Sequence, residues 1–150
     1  MAGCRPAAGN PGRYTTIKKG LAHTNPEGDY LEIAMKTTLF ILNEAPYGSE
    51  RSYNGLRLAG ALSALPDQQV HLFLLADAVA VAKAGQKVPD GYYNLQLMLG
   101  KVVRKGAVRL CGTCMDARGL TDAELVEGAQ RSTLAQLAQW TAEANQVLVF

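Results

Sequence analysis

Short apolar runs alternate with helical patterns along most of this chain, and no other feature limits its possible folds as strongly. The run TTLFILN, residues 37–43, is continuously apolar at its centre, which is typical of a strand buried on both faces. Gln69–Leu75 has the same character. Strands separated by helices in this order indicate linked βαβ units with right-handed crossovers. The sequence therefore predicts a mostly parallel sheet with helices on both faces.

The pattern places the elements as follows. Strands are expected at 37–43, 69–75, 107–110 and 146–150, and helices at 49–65, 78–84 and 94–106. Capping-box patterns at 121–124 and 133–136 predict two further helix starts. Apolar residues at helical spacing predict buried faces at Leu58, Ala61, Leu62 and Leu65, at Leu95, Met98, Leu99 and Val102, and at Leu134, Leu137, Ala138 and Thr141.

The first 34 residues differ in character from the rest. They contain eight Gly or Pro residues and show neither a strand nor a helix period. We expect residues 1–34 to be a poorly ordered N-terminal extension and residues 35–150 to be the domain. A second interpretation places the natural start at Met35, where the strand pattern begins. In both interpretations Cys4 lies outside the functional core.

Charge and cysteine content limit the partners that the sequence predicts. The net charge is +2 and the basic residues are scattered, so neither a nucleic-acid partner nor a membrane partner is expected. No apolar run reaches the roughly 18 residues of a spanning helix. Three cysteines cannot form a closed disulfide framework, and no secretory signal precedes them. We therefore expect a cytoplasmic location.

The segment RLCGTCMDARGL, residues 109–120, is the first candidate for chemistry. It follows a predicted strand, and the carboxyl ends of parallel strands form the ligand edge of such sheets. Cys111 stands just before a helix start, which with Arg118 is expected to lower its thiol pKa. Gly112 leaves room for a ligand, and Cys114 is positioned to attack a mixed disulfide or persulfide on Cys111. Asp116 and Arg118 can equally pair with each other or cap the next helix.

A second loop, NEAPYGSER at residues 43–51, is expected at the same edge of the sheet. Asn43, Tyr47 and Gly48 are candidates for substrate contacts, together with Gly112 and Asp116 of the cysteine loop. The alternative for this loop is a turn followed by a solvated helix start.

Other chemistries receive less support from the residues. A closed zinc site needs four ligands, and neither histidine lies near the cysteine pair in sequence, so no metal is expected. No cofactor is predicted either. His71 is expected to be a hydrogen-bonded core or interface histidine, and Trp140 to be part of the packing.

Three ordered motifs give the chain a family resemblance. LCGTCMDARGLTD, APYGSERSYNGLRLA and KAGQKVPDGYYNLQLML resemble the DsrE/DsrF-like family of small proteins associated with sulfur oxidation and sulfur relay. The resemblance implies a three-layer α/β/α fold with four to five strands, assembled into trimers or hexamers. It also implies a persulfide-carrying cysteine eight positions before the Gly of an Arg-Gly pair, and that position is Cys111. Cys114 has no counterpart in the relay pattern and belongs to a Cys-Gly-Thr-Cys branch.

Three functions follow as hypotheses. The first is a sulfurtransferase or sulfur carrier that holds sulfane sulfur on Cys111 and exchanges it with donor and acceptor proteins. In this hypothesis Arg118 and nearby amides stabilise the Cys111 anion. The second is a dithiol redox switch that uses Cys111 and Cys114. The third is a non-catalytic oligomeric module that binds a small ligand.

Overall fold

The computed structural model describes residues 35–150 and, before them, strands β1 (His23–Thr24) and β2 (Tyr30–Leu31). These two strands pair antiparallel. The sequence prediction for residues 1–34 otherwise falls outside the described residues, as does Cys4, and it stays a prediction.

The remaining elements alternate along the chain. The strands are β3 (Lys36–Leu42), β4 (Gln68–Leu74), β5 (Ala107–Cys111), β6 (Ala129–Ser132) and β7 (Gln146–Val149). The α-helices are α1 (Arg51–Leu62), α2 (Leu95–Val103), α3 (Gly112–Asp116) and α4 (Leu134–Glu143). Two 3₁₀ helices, Ala76–Ala82 and Asp122–Glu124, follow β4 and α3.

Strands β3 to β7 form one sheet in the order β6-β5-β4-β3-β7, and every neighbouring pair is parallel. Thr38, Leu39, Phe40 and Leu42 of β3 are buried, as expected for a strand with neighbours on both sides. The predicted α/β fold with a parallel sheet of four to five strands is thus confirmed.

Helices cover the two faces of the sheet unequally. One face packs against α1, α2, α3 and the 3₁₀ helix Ala76–Ala82, with Phe40 and Leu72 among its fully buried residues. The opposite face packs against α4, which contributes Leu137 and Trp140 to a smaller cluster. Cys111 belongs to this second cluster. The sheet and its two helical layers therefore leave the cysteine on the face that a single helix covers.

Several local predictions were wrong. The sequence reading contained no strand at Ala129–Ser132, and the capping box at Thr121 begins only a three-residue 3₁₀ turn instead of a helix. The segment after β4 is likewise a 3₁₀ helix, shifted from 78–84 to Ala76–Ala82. His71 was expected to be hydrogen-bonded, yet its Nδ1 atom is buried without a partner.

Two predicted helix faces were also wrong. Leu58 of α1 is 41% exposed, and Leu65, just beyond the end of the helix, is 49% exposed. The buried residues of α1 are Ser52, Gly55, Leu56 and Ala59. In α4, Leu134 is 69% exposed, and the buried residues are Leu137 and Trp140. Small residues let α1 approach the sheet closely, and because their hydropathy is low, the spacing of apolar residues does not predict this face.

No helix in the part of the chain described is long and apolar enough to cross a bilayer.

Candidate functional site

The cysteine pair lies at the carboxyl end of the sheet. Cys111 is the last residue of β5 and also the residue that precedes the first turn of α3. Cys111 pairs with Ser132 of β6, and the preceding Leu110 pairs with Leu74 of β4, which fixes the backbone. The Cys111 side chain packs with Phe73 and Trp140 on the α4 face. The residue is only 7% exposed. The fold thus holds this thiol in one orientation, next to Cys114 on the first turn of α3.

The surroundings of Cys111 favour its thiolate form. Burial alone raises the pKa of the thiol, but hydrogen bonds from the Thr113 hydroxyl, the Cys114 thiol and the backbone amides of Cys114 and Thr113 outweigh it. The pKa of Cys111 therefore lies below its ordinary value. The Thr113 Oγ1 atom is 3.2 Å from Cys111 Sγ. A thiolate is the nucleophilic form of cysteine, so these hydrogen bonds shift Cys111 toward its reactive form.

Cys114 has the opposite protonation behaviour. Burial and its contact with Cys111 raise the pKa of the Cys114 thiol, although the backbone N–H of Ala76 and the positive charge of Arg118 oppose this. The Ala76 N–H donates to Cys114 Sγ at 3.2 Å. The two thiols consequently differ: Cys111 is the thiol of the pair that loses its proton first, and Cys114 is the one that keeps it.

Arg118 has a different partner from the one that the sequence predicted. Its Nε and Nη2 atoms lie 2.8 and 2.7 Å from Asp77 Oδ1, and its Nη1 atom donates to the carbonyl oxygen of Cys114 at 3.0 Å. The charge of Arg118 acts on the pKa of Cys114 and is not among the causes that lower the pKa of Cys111. Arg118 thus joins the loop after β4 to the cysteine loop.

An open groove of about 500 Å³ lies beside the pair on the β6 side. It is lined by Gly112, Thr113, Asp116 and residues 131–134. Arg131 spans it, with its guanidinium 2.7 Å from Asp116 Oδ1 and 2.9 Å from Asp122 Oδ1. Asp116 therefore pairs with Arg131 rather than with Arg118. Thr113 lines the groove and also contacts Cys111 Sγ, so the groove reaches the residue that is hydrogen-bonded to the buried thiol.

The loop after β3 contributes only partly to this region. Asn43 accepts a backbone hydrogen bond from Ala78, two residues beyond the amide that contacts Cys114. Tyr47 instead turns toward the segment before α2, where its hydroxyl donates to Gln86 Oε1 at 2.7 Å and its ring stacks on Tyr93. Gly48 follows with φ of 106°, a left-handed conformation that favours glycine. The side-chain amide of Asn43 donates to the Phe150 carbonyl oxygen at 3.4 Å, so Asn43 is linked to the cysteine region only through its backbone bond to Ala78. Tyr47 is held by its contacts with the segment before α2.

Sequence reasoning missed three groups around the thiols. Thr113 stands between the two cysteines, so its hydroxyl could have been noticed from the Cys-Gly-Thr-Cys spacing alone. Ala76 and Asp77 carry no such signal, because they reach the pair from a loop about forty residues earlier. Among residues 35–150, no three His, Cys, Asp or Glu side chains are grouped so that they could hold a metal ion.

Comparison with known proteins gives consistent matches. The sequence profile of the DsrE/DsrF-like family matches residues 36–150. The protein YchN of Escherichia coli strain K12 is 43% identical over 118 residues, which cover 77% of this chain and all of YchN. The protein MK0008 of Methanopyrus kandleri is 39% identical over 112 residues, or 73% of this chain and 90% of that protein.

Solved structures match the same region. The crystal structure of E. coli YchN has a TM-score of 0.73 over 77% of this chain and 100% of its own. MTH1491 of Methanobacterium thermoautotrophicum, a protein of unknown function, has a TM-score of 0.60 at 11% identity, over 77% of this chain and 99% of its own. This second likeness concerns the fold alone.

Proposed function

This chain belongs to the DsrE/DsrF-like family, and from that premise we propose that it is a sulfur carrier that holds sulfane sulfur as a persulfide on Cys111. Family membership supports a role related to sulfur relay in the broad sense. The observation that carries the finer proposal is the set of donors around Cys111, which lowers the pKa of its thiol despite burial. The same donors can stabilise the anion of a persulfide formed there.

Loading requires a thiolate that attacks the sulfane sulfur of a donor. The Cys111 sulfur forms the new S–S bond, and the donor leaves as its own thiolate, so no external oxidant is needed. The groove beside Thr113 provides the approach for such a donor. Donor and acceptor are both sulfur-carrying molecules or proteins in this proposal.

The test is persulfide loading followed by intact-mass measurement. The chain has three cysteines, so the protein should carry Cys4→Ser to leave only the pair. One equivalent of glutathione persulfide is expected to add one sulfur atom, which Cys111→Ser abolishes and Cys114→Ser retains. Absence of any adduct in both the parent protein and Cys114→Ser would sink the proposal.

A dithiol redox switch is the second candidate, and the interaction between the two thiols favours it. Oxidation would join Cys111 and Cys114 with loss of two electrons and two protons to an oxidant such as a low-molecular-weight disulfide. In that case each single Cys→Ser variant abolishes the redox-dependent change, whereas a carrier keeps its adduct in Cys114→Ser.

The protein is also proposed to act as a homo-oligomer, a trimer or hexamer. The sheet face that carries Cys111 is covered by α4 and leaves Val147 and Val149 of the edge strand 38% and 63% exposed. Apolar side chains exposed together on one sheet face are typical of an interface. A second copy of this chain is the partner that the family resemblance implies.

A further inference from the structure

Cys114 has an environment that a purely structural cysteine does not need. The backbone N–H of Ala76 points at its sulfur over 3.2 Å. Ala76 has φ of 45°, and within residues 35–150 it is the only residue other than glycine with a positive φ. This left-handed conformation is unfavourable for a residue with a Cβ atom. The loop after β4 therefore adopts a strained turn that directs a hydrogen-bond donor to Cys114.

The positive charge of Arg118 lies on the same side of Cys114 as the Ala76 N–H group. Arg118 binds the Cys114 carbonyl oxygen, and Asp77, the residue after Ala76, fixes the guanidinium through two nitrogen atoms. The amide and the guanidinium are both groups that stabilise negative charge. The two thiols thus have separate donors. Thr113 contacts the Cys111 sulfur on the groove side. On the side of the β4 loop, the Ala76 N–H donates to the Cys114 sulfur and Arg118 binds the Cys114 carbonyl oxygen.

We propose that Cys114 is a second persulfide site, which takes the sulfane sulfur from Cys111 and presents it to an acceptor thiol. This inference rests on the proposed loading of Cys111. Donors reach Cys111 through the groove, and acceptors meet Cys114, which is the more exposed of the two cysteines. Sulfur thereby passes through the pair from one side of the loop to the other.

The transfer balances without an oxidant. The Cys114 thiol gives its proton to the outer sulfur of the Cys111 persulfide anion, and the resulting Cys114 thiolate attacks that outer sulfur. A bond forms between Cys114 Sγ and the outer sulfur, while the bond from the outer sulfur to Cys111 Sγ breaks. The electron pair of the broken bond stays on Cys111. The products are a Cys111 thiolate and a Cys114 persulfide, and the sulfane sulfur keeps its oxidation state.

Attack on the inner sulfur is the competing reaction, which would release hydrosulfide and leave a disulfide. Thiol exchange is faster when the leaving thiolate is better stabilised. Attack on the outer sulfur expels Cys111 as the thiolate, and the Thr113 hydroxyl at 3.2 Å is positioned to donate to it. The donors around Cys111 therefore favour transfer over discharge.

The experiment locates the sulfur atom in time. The Cys4→Ser protein is loaded with one equivalent of glutathione persulfide, alkylated at intervals, and fragmented by tandem mass spectrometry to separate Cys111 from Cys114. The adduct is expected on Cys111 first and on Cys114 later. Cys114→Ser and Cys114→Ala should both keep the adduct on Cys111 and deliver it to a small acceptor thiol at least tenfold more slowly. Cys111→Ser should not load at Cys114.

Three outcomes would overturn the inference. They are an adduct that stays on Cys111 in the protein with both thiols, release of one equivalent of sulfide with a Cys111–Cys114 disulfide, and direct loading of Cys114 in Cys111→Ser. The first two leave the carrier proposal standing if Cys114→Ser still loads at Cys111. Failure of both the parent protein and Cys114→Ser to load refutes the carrier proposal itself, so the two failures are distinguishable.

Discussion

The hydroxyl oxygen of Thr113 lies 3.2 Å from the sulfur of Cys111, and this contact joins the wall of the open groove to a thiol that is only 7% exposed. It is the side-chain contact that most favours the Cys111 thiolate. The residue between two cysteines thus contributes directly to the chemistry of the first one.

Replacement of Thr113 by Val should make Cys111 less reactive. The variant keeps the β-branched shape but removes the hydroxyl donor, so the pKa of the Cys111 thiol rises and less thiolate is present at neutral pH. Loss of a hydrogen bond that contributes a net free energy of about 1 kcal/mol predicts that alkylation of Cys111 at pH 7 slows by about fivefold. The measurement is the iodoacetamide rate against pH in a Cys4→Ser, Cys114→Ser background. Thr141→Val, which removes a hydroxyl that donates to the Leu137 carbonyl oxygen within α4, is the matched control, and equal rates in both variants would contradict the role of Thr113.

The pairing of Asp77 with Arg118 should contribute to stability more than an ordinary surface pair. A double-mutant cycle with Asp77→Ala and Arg118→Ala is expected to give a coupling of about 0.5–1 kcal/mol, the upper part of the range for exposed pairs. Two nitrogen atoms within 2.8 Å of one oxygen explain this value. The reference pair is Glu44 with Arg51, which is 3.5 Å apart with side chains 41% and 70% exposed. Its coupling should be near zero in the same urea unfolding experiments, and equal couplings would refute the distinction.

The contact between Arg118 and Asp77 shows what could not be predicted from the sequence. The position of Cys111 after a buried strand was predictable from local pattern, as was the parallel sheet around it. The partner of Arg118 was not, because Asp77 is 41 residues away and only the pairing of β4 with β5 brings the two loops together. The missed strand β6 has a related cause. Its sequence, AQRS, contains one apolar residue, and its strand conformation depends on pairing with β5.

The exposed valines of β7 provide a test of assembly. Val149→Lys should shift the protein toward a smaller assembly, because it places a charge on the sheet face that α4 leaves uncovered. Size-exclusion chromatography with light scattering measures the change. Leu97→Lys on the exposed side of α2, where the leucine is 69% exposed, is the matched control and should leave the assembly unchanged. A monomeric parent protein would remove the basis for the proposed oligomer.

Acid should destabilise the fold through His71. Burial lowers the pKa of this imidazole, Glu143 opposes the shift and Arg109 adds to it. The ring stacks on Trp140 with centroids 4.3 Å apart, and its buried Nδ1 atom has no partner. Because the pKa of His71 is lowered in the folded state, neutral His71 contributes fully to the free energy of unfolding above the ordinary histidine pKa of about 6.5. This contribution is lost as the pH falls through the pKa of the folded state. Urea unfolding at pH 7.5 and 5.5, followed by the fluorescence of the single tryptophan, should show this loss. His71→Gln should reduce the difference between the two pH values, and an unchanged difference would assign the effect to other groups.

Two glycines of α1 should respond in opposite directions to the same substitution. A Cβ atom at Gly55 would lie 2.6 Å from Cδ2 of Leu42 and 3.1 Å from Cγ of Phe150, at the point where α1 packs closely on the sheet. Gly55→Ala is therefore expected to lower the free energy of unfolding by about 1–3 kcal/mol through overpacking. At Gly60, on the same helix, an added Cβ atom meets nothing within 4 Å. Gly60→Ala should raise the free energy of unfolding by about 0.5–1 kcal/mol, because alanine restricts the unfolded chain and favours the helix.

The comparison of Gly55→Ala with Gly60→Ala separates packing from helix propensity. Both variants gain the same helix preference, so the difference between their free energies of unfolding measures the cost of moving Leu42 and Phe150. Urea unfolding of the two variants and the parent protein gives all three values. Stabilisation of both variants would mean that α1 can move away from the sheet without loss. The close contact at Gly55 would then no longer explain why small residues predominate on the buried face of α1.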